Sequence, residues 1–587
     1  MKRFYCFILL LIATTSLPAQ KMTTVHETAI EKVLKDIKEF NTSERKRDSA
    51  AGHPLGSLKE EDFLRRYTFY KSINSRLLEV DKSKLSFDEE INLELIEYDV
   101  EDELATYTFK AYLNPILSDE GFHTHLPGIA SGGFTTKKEY ENYIRSLRDM
   151  PRYVQENLDL MRKGLQLGIC QPRAILDGYA NTYERQIVDS VEQSVFWRPF
   201  QQKPMFISAG DWAKISEEGR MAVRDDAIGS FRQIKTFFDT EYLPKTRTTI
   251  GVSNFPNGLA YYQERVHHYT TMDISYEEVY QLGLKEVERI KKQMEDVLKE
   301  VNFKGTLQEF ITYLRTDPRF YATTPEQLLK EASYIAKKID GKLPQFFGKL
   351  PRQPYGVEPV PDHLAPTYTA GRYAGSPISS KRAGRYWVNT YDLKSRPLYA
   401  LESLTMHEAV PGHHLQIALT QELTNLPEFR RNLYVNAFGE GWGLYCEYLG
   451  EEMGFYKDPY SKFGRLTYEM WRACRLVIDV GLHTKGWTRE QAVKYLADNT
   501  ALSIHEVNTE INRYISWPGQ ALAYKMGELK IKELRKKAED SLKEKFDIRE
   551  FHDLILSQGT VTLKIMEKMV DRFIESKMKM KSIVNSQ

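Results

Sequence analysis

The sequence predicts a mainly α-helical protein. Apolar residues recur at three- and four-residue steps over most of its length, only one run has a clear strand character, and Pro/Gly-rich stretches separate the helical segments. The helical pattern covers 24–41, 60–85, 87–113, 137–168, 172–193, 208–240, 275–301 and 325–347. Ser86 ahead of Phe87-Asp88-Glu89-Glu90 and Ser275 ahead of Tyr276-Glu277-Glu278 read as amino-terminal caps. The interruptions fall at 117–136, 250–258 and 350–380, and the last, rich in aromatics, reads as a connection between two lobes. The strand-like run is Arg385 to Tyr391, where aromatic and β-branched residues follow Gly384. From Glu528 onward a Lys/Glu-rich helix pair closes the chain, its charges read as a solvated face.

Composition narrows the class. Lys plus Arg total 82 and Asp plus Glu 81, a balance that points away from nucleic acid and acidic membranes as partners. Lys2 and Arg3 precede an apolar run from Phe4 to Ala13, then small residues and a proline to Ala19. This is the pattern of a secretory leader at 1–20, too short to span a bilayer. Cys6 lies too early in that run for a lipid-modified cysteine. Beyond the leader stand Cys170, Cys446 and Cys474, an odd number that implies no disulfide framework. No later run is long and apolar enough to cross a membrane, so the expected product is exported, periplasmic or secreted. About 560 mature residues are too many for one compact core, so two lobes are expected, 21–250 and 251–587.

Chemistry concentrates at His407-Glu408-Ala409-Val410-Pro411-Gly412-His413-His414. Neutral imidazoles and a carboxylate are the donor set of a catalytic Zn²⁺, and the Glu directly after the first His stands where a zinc hydrolase keeps its general base. The spacing departs from the usual i, i+4 pair, since Pro411 occupies that position. On a regular helix His414, at i+7, would lie roughly 10 Å along the axis from His407. Pro411 cannot donate to the His407 carbonyl, and Gly412 tolerates unusual backbone angles. A turn widened by two residues would bring His413 to the place of the usual second ligand. His413 is therefore the preferred partner of His407, with His414 the alternative.

The segments HEAVPGHHLQ (His407 to Gln416), GEGWGLYCE (Gly439 to Glu447), RLVIDVGLHTKGWTREQA (Arg475 to Ala492) and RYISWPGQALAYKMG (Arg513 to Gly527) resemble the bacterial family called domain of unknown function 885. FPNGLAYYQERVHHYTT (Phe255 to Thr271) and the region from Pro151 to Pro172 fit the same family, so the resemblance covers nearly the whole mature chain. It implies kinship with zincin metallopeptidases. Gly439-Glu440-Gly441-Trp442 is similar to the turn that supplies a zinc-binding Glu in gluzincin aminopeptidases, which implies Glu440 as third ligand. Glu447, two turns on, is the alternative or a support for a ligand.

The resulting expectation is a mainly α protein with two helical lobes around a deep groove and a small zincin-type β element beside the metal helix. It would be an exported zinc peptidase holding one Zn²⁺ per chain through His407, His413 and Glu440, with Glu408 as base and a peptide as substrate. Tyr524, after the Pro518-Gly519-Gln520 turn, is the candidate donor to the oxyanion. Asp479 and His483, in step with Arg475 on an apolar helix, are candidates to orient a ligand imidazole. Tyr386, Trp387 and Asn389 on the expected edge strand, with Arg513 and Tyr514, are candidates for substrate contact. A metal-dependent hydrolase of other amides or esters is the alternative enzyme. A non-catalytic peptide-binding relative is the alternative outside enzymes, although it would have no need of Glu408. Endopeptidase and exopeptidase action are not separable from the sequence.

Overall fold

The computed structural model describes residues 28–362 and 364–584. The leader expected at 1–20 lies outside the described residues. Helices Ala29–Ala50, Glu60–Leu78, Phe87–Thr108, Lys137–Leu167, Tyr276–Glu300 and Pro325–Asp340 follow the apolar periodicity. Ser86 and Ser275 each cap their helix, and Glu89 and Glu278 each return a hydrogen bond to the cap residue. The helix expected at 172–193 is instead three short turns, Arg173–Ile175, Asn181–Glu184 and Val191–Gln193. Gly178, at a φ of 80°, turns the chain between the first two. Among the described residues no helix is long and apolar enough to cross a membrane.

The only sheet among the described residues has three strands, β1 (Tyr355–Pro359), β2 (Gly371–Ala374) and β3 (Gly384–Val388). Their order is β1-β3-β2, with β1 parallel and β2 antiparallel to β3. Two expectations are corrected here. The 350–380 stretch carries two strands rather than a plain connection. The strand legible in the sequence is the central one and presents no free edge. Its neighbours are too short, and too rich in Gly and Pro, to show an alternating pattern.

Six helices frame the centre of interest: α1 (Leu401–Glu408), α2 (His413–Glu422), α3 (Asn436–Glu452), α4 (Pro459–Thr484), α5 (Ile504–Ser516) and α6 (Ala523–Leu542). Helix α4 is buried on every side from Phe463 to His483, including Arg465, Glu469, Arg472, Arg475, Asp479 and His483. Buried charges of this kind need partners. Lys525 of α6 meets Glu528 at 2.6 Å, Glu469 at 2.9 Å and Glu286 at 3.1 Å, while Arg465 pairs with Glu469 at 2.7 Å. Glu528 is thus wholly inside, which corrects the reading of a solvated face from that residue onward.

Removing the central cation of this network would leave three carboxylates short of a partner. Lys525→Met is expected to cost about 3–5 kcal/mol, measured as a lower urea midpoint against wild type. An unchanged midpoint would show that the network adds nothing to stability.

Candidate metal centre

Helix α1 ends at Glu408, and α2 begins at His413. Between them the Gly412 N–H reaches the Met406 carbonyl at 2.9 Å, six residues back, where a regular helix would bond four back. The expected widening by two residues is present, but as a break between two helices and not as a bulge in one. A Cβ on Gly412 would stand 1.9 Å from the His407 carbonyl oxygen, so only glycine fits this turn. The Pro411 carbonyl accepts the Trp442 indole N–H at 2.9 Å, which fastens the turn to α3.

This turn brings the imidazoles of His407 and His413 to 4.8 Å between ring centres, nearly perpendicular at 84°. Glu440 Oε2, from the first turns of α3, is 3.5 Å from His407 Nε2 and 3.3 Å from His413 Nε2. His407, Glu408 and His413 each offer a donor atom within 4.8 Å of the others, a group that could hold a metal ion. The donor set fits zinc, because tetrahedral bonds of ~2.0–2.1 Å span edges of about 3.3–3.4 Å between ligands. The two Glu440 distances match such edges.

His407 Nδ1 donates to Glu447 Oε1 at 2.8 Å, and Arg472 Nη2 of α4 lies 3.3 Å from the same oxygen. A carboxylate can only accept here, so the hydrogen sits on Nδ1 and the Nε2 lone pair faces Glu440 and His413. Burial works against a charge on His407, but hydrogen bonds to Glu440 and Glu447 outweigh it and push its pKa up to about 10. Burial also opposes the charge on Glu440, and the two imidazoles more than offset this, holding it well below the carboxylate range. Both groups are thus tuned for a shared positive charge, which a cation between them supplies as well as a proton does.

Packing explains how three helices come so close. A Cβ on Gly443 would fall 2.7 Å from His407 Cε1, so this glycine of α3 makes the space for the ring. A Cβ on Gly441 would fall 2.5 Å from Gly527 Cα, and that contact carries α6 and Tyr524 toward the centre. The Tyr524 ring lies 6.3 Å from that of His407, and its hydroxyl accepts from Arg513 Nη2 at 3.1 Å. Glu408 Oε2 accepts the Tyr373 N–H of β2 at 2.8 Å.

Several expected site residues are elsewhere. His414 Nδ1 bonds the Tyr373 hydroxyl at 2.9 Å, and burial lowers its pKa to about 4. Asp479 accepts the Tyr262 hydroxyl at 2.6 Å and the Gly519 N–H at 3.0 Å, so it orients that turn and not a ligand imidazole. His483 contacts the Tyr514 carbonyl at 3.0 Å and takes the Val252 N–H at 3.3 Å. Tyr514 is buried, its hydroxyl taken by Trp471 and Arg475. Tyr386 and Asn389 are fully buried, the first against Thr405 and the second with its amide on three carbonyls. Trp387 is half-buried with Arg385 stacked 5.0 Å above it. Their places inside the packed sheet follow from β3 being its centre. Arg472, Tyr373 and Arg372 escaped the sequence reading. Arg472 carries a usable signal, as one of several ionisable residues spaced along a helix otherwise lined with apolar ones.

The chain belongs to the family described as "Bacterial protein of unknown function (DUF885)", which matches residues 45–570. A solved structure of a candidate lipoprotein from Colwellia psychrerythraea is similar at 28% identity and a TM-score of 0.79, covering 87% of this chain and 90% of that one. A candidate lipoprotein of unknown function from Shewanella oneidensis shares the fold at 16% identity and a TM-score of 0.65, covering 92% and 98%. No curated protein is significantly similar.

Two outcomes test this geometry. Gly443→Ala is expected to displace His407 and lower metal occupancy while leaving the far-ultraviolet spectrum intact; full occupancy would refute the packing argument. Asp479 has its pKa raised to about 7, mainly by burial, against which the Tyr262 and Gly519 hydrogen bonds and Arg475 act. Its ionisation therefore costs stability as pH rises from about 4 to about 7. The melting temperature of Asp479→Asn should fall less over that interval than that of wild type.

Proposed function

We propose that this protein is an exported zinc-dependent peptidase, with His407, His413 and Glu440 as ligands and Glu408 as general base. The observation that carries the reading is the meeting of Glu440 Oε2 with both imidazole Nε2 atoms at tetrahedral-edge distances, beside a second carboxylate, Glu408, whose Oε2 accepts the Tyr373 N–H. Glu440 is assigned to the metal because its Oε2 meets both imidazoles, and Glu408 to the proton because its Oε2 is engaged by the Tyr373 N–H of β2. The description of relatives as lipoproteins supports export.

Zinc, when bound, supplies a Lewis acid that lowers the pKa of water and polarises a carbonyl. Glu408 accepts the proton of the attacking water and returns it to the leaving amine. The Tyr373 N–H keeps its carboxylate oriented for this exchange. Glu447 holds the His407 ring, and Arg472 holds Glu447. Tyr524 accepts a hydrogen bond from Arg513, so its own hydrogen is free to point at the oxyanion.

Purified protein is expected to carry one zinc per chain. His407→Ala, His413→Ala and Glu440→Ala should each lose it, whereas His414→Ala should not. Glu408→Gln should keep zinc and lose turnover of a mixed-peptide digest, read by mass spectrometry, by about 10²–10⁴-fold. Near-normal turnover in Glu408→Gln would remove that residue from the chemistry.

A further inference from the structure

Resting on that reading, we infer that Arg372 captures the free carboxylate at the end of a peptide substrate, making the enzyme a carboxypeptidase that releases a residue or a short fragment from the carboxy terminus.

Arg372 lies on β2, one of the two edge strands, directly before Tyr373, whose N–H holds the proposed base. The Ala370 carbonyl bonds the Asn389 N–H, and Arg372 pairs with Trp387 in the antiparallel register. Alternation then turns the backbone groups of Arg372 toward β3 and those of Gly371 and Tyr373 toward the open edge. The Tyr373 ring packs inward on His414, so the Arg372 side chain leaves the opposite face of the strand and is exposed.

Its surroundings suit an arriving anion. Among the described residues no carboxylate stands within ion-pair distance of Arg372. Burial works against its charge, and Tyr368, Glu408 and Glu120 more than compensate, raising its pKa. Two other arginines near the centre are already committed: Arg472 to Glu447, and Arg513, which donates to Gln520 at 2.8 Å and to Tyr524 at 3.1 Å and lies 3.6 Å from Glu510. Arg372 is hydrogen-bonded to the Tyr368 hydroxyl but has no ion-pair partner among the described residues, and its remaining N–H groups can serve a carboxylate. A residue spans at most ~3.3–3.6 Å of extended chain. A carboxylate gripped one strand position from the base-holding amide is thus only a short segment from the bond under attack. A terminal carboxylate meets that condition whatever the sequence, whereas an acidic side chain meets it only in selected peptides.

The test compares acetyl-tetraalanine with its carboxamide, bound calorimetrically to zinc-loaded Glu408→Gln protein, with both also offered to wild type. The free acid is expected to bind about tenfold to a hundredfold more tightly. That gap should close in Arg372→Gln, persist in part in Arg372→Lys, and persist fully in Arg513→Gln. Equal binding of acid and amide, or no binding of either up to the solubility limit, overturns the inference without any variant. A gap that survives Arg372→Gln but not Arg513→Gln also overturns it. Equal cleavage of the amide by wild type defeats carboxylate capture and leaves the peptidase reading standing. An acid preference in binding with no cleavage defeats the peptidase reading and leaves the role of Arg372 standing.

Discussion

The hydrogen bond from His407 to Glu447, backed by Arg472, is the constraint around which the centre is organised. It joins α1, α3 and α4 through three side chains that are almost fully buried. A carboxylate buried this deeply is costly unless it is paired, and Arg472 supplies the pair from a helix that is itself interior. The same bond fixes the hydrogen on Nδ1, leaving Nε2 to face Glu440 and His413. Helix α4 thus has to be buried with its charges, because an exposed Arg472 would not hold the ring in place. The network of Arg465 and Glu469 of α4 with Lys525, Glu528 and Glu286 from neighbouring helices is the cost of that arrangement one to two turns earlier on α4.

Close approach is the second requirement. Side chains converge only where backbones do, and α3 carries glycine at each contact: Gly441 against Gly527 of α6, Gly443 against the His407 ring. A glycine-rich helix is intrinsically poor, so its stability rests on packing, and Trp442 provides much of it from a fully buried position. The Trp442 indole also bonds Pro411, so one residue anchors both the helix and the turn that delivers His413. The motif in α3 is therefore as much about distance as about its single carboxylate.

These relations show what the sequence could and could not disclose. The helices were legible because periodicity and caps such as Ser86 are local. The meeting of His407, His413 and Glu440 was legible because imidazole and carboxylate clusters are rare, and because Pro411-Gly412 signals a break in helical spacing. Glu447 was visible only as an alternative, since its role depends on which helix lies behind it. The i, i+4, i+8 spacing of Arg475, Asp479 and His483 suggested a support for the metal. The residue that backs the His407 ring, through Glu447, is Arg472, one turn earlier, while Asp479 and His483 brace the turns at Gly519 and Val252. Spacing along a helix gives the face but not the neighbour. β1 and β2 were hidden for a different reason: five and four residues of Gly- and Pro-rich chain become strands only because β3 pairs with them.

The edge strand also bears on how such a centre would grip a chain. β2 turns the backbone groups of only Gly371 and Tyr373 toward the open edge, and the Tyr373 N–H is already bonded to Glu408. The Gly371 carbonyl accepts the Thr369 hydroxyl as well. A peptide laid along this edge therefore finds few free partners, and each ordinary backbone hydrogen bond adds only about 0.5–1.5 kcal/mol. Main-chain pairing at so short an edge is too weak to hold a flexible chain against the entropy of ordering it. Additional binding has to come from a charge, and Arg372 is the charge this strand presents. On the proposed reading the short edge and the Arg372 guanidinium are complementary: the strand would orient the base, and a side chain beside it would hold the substrate.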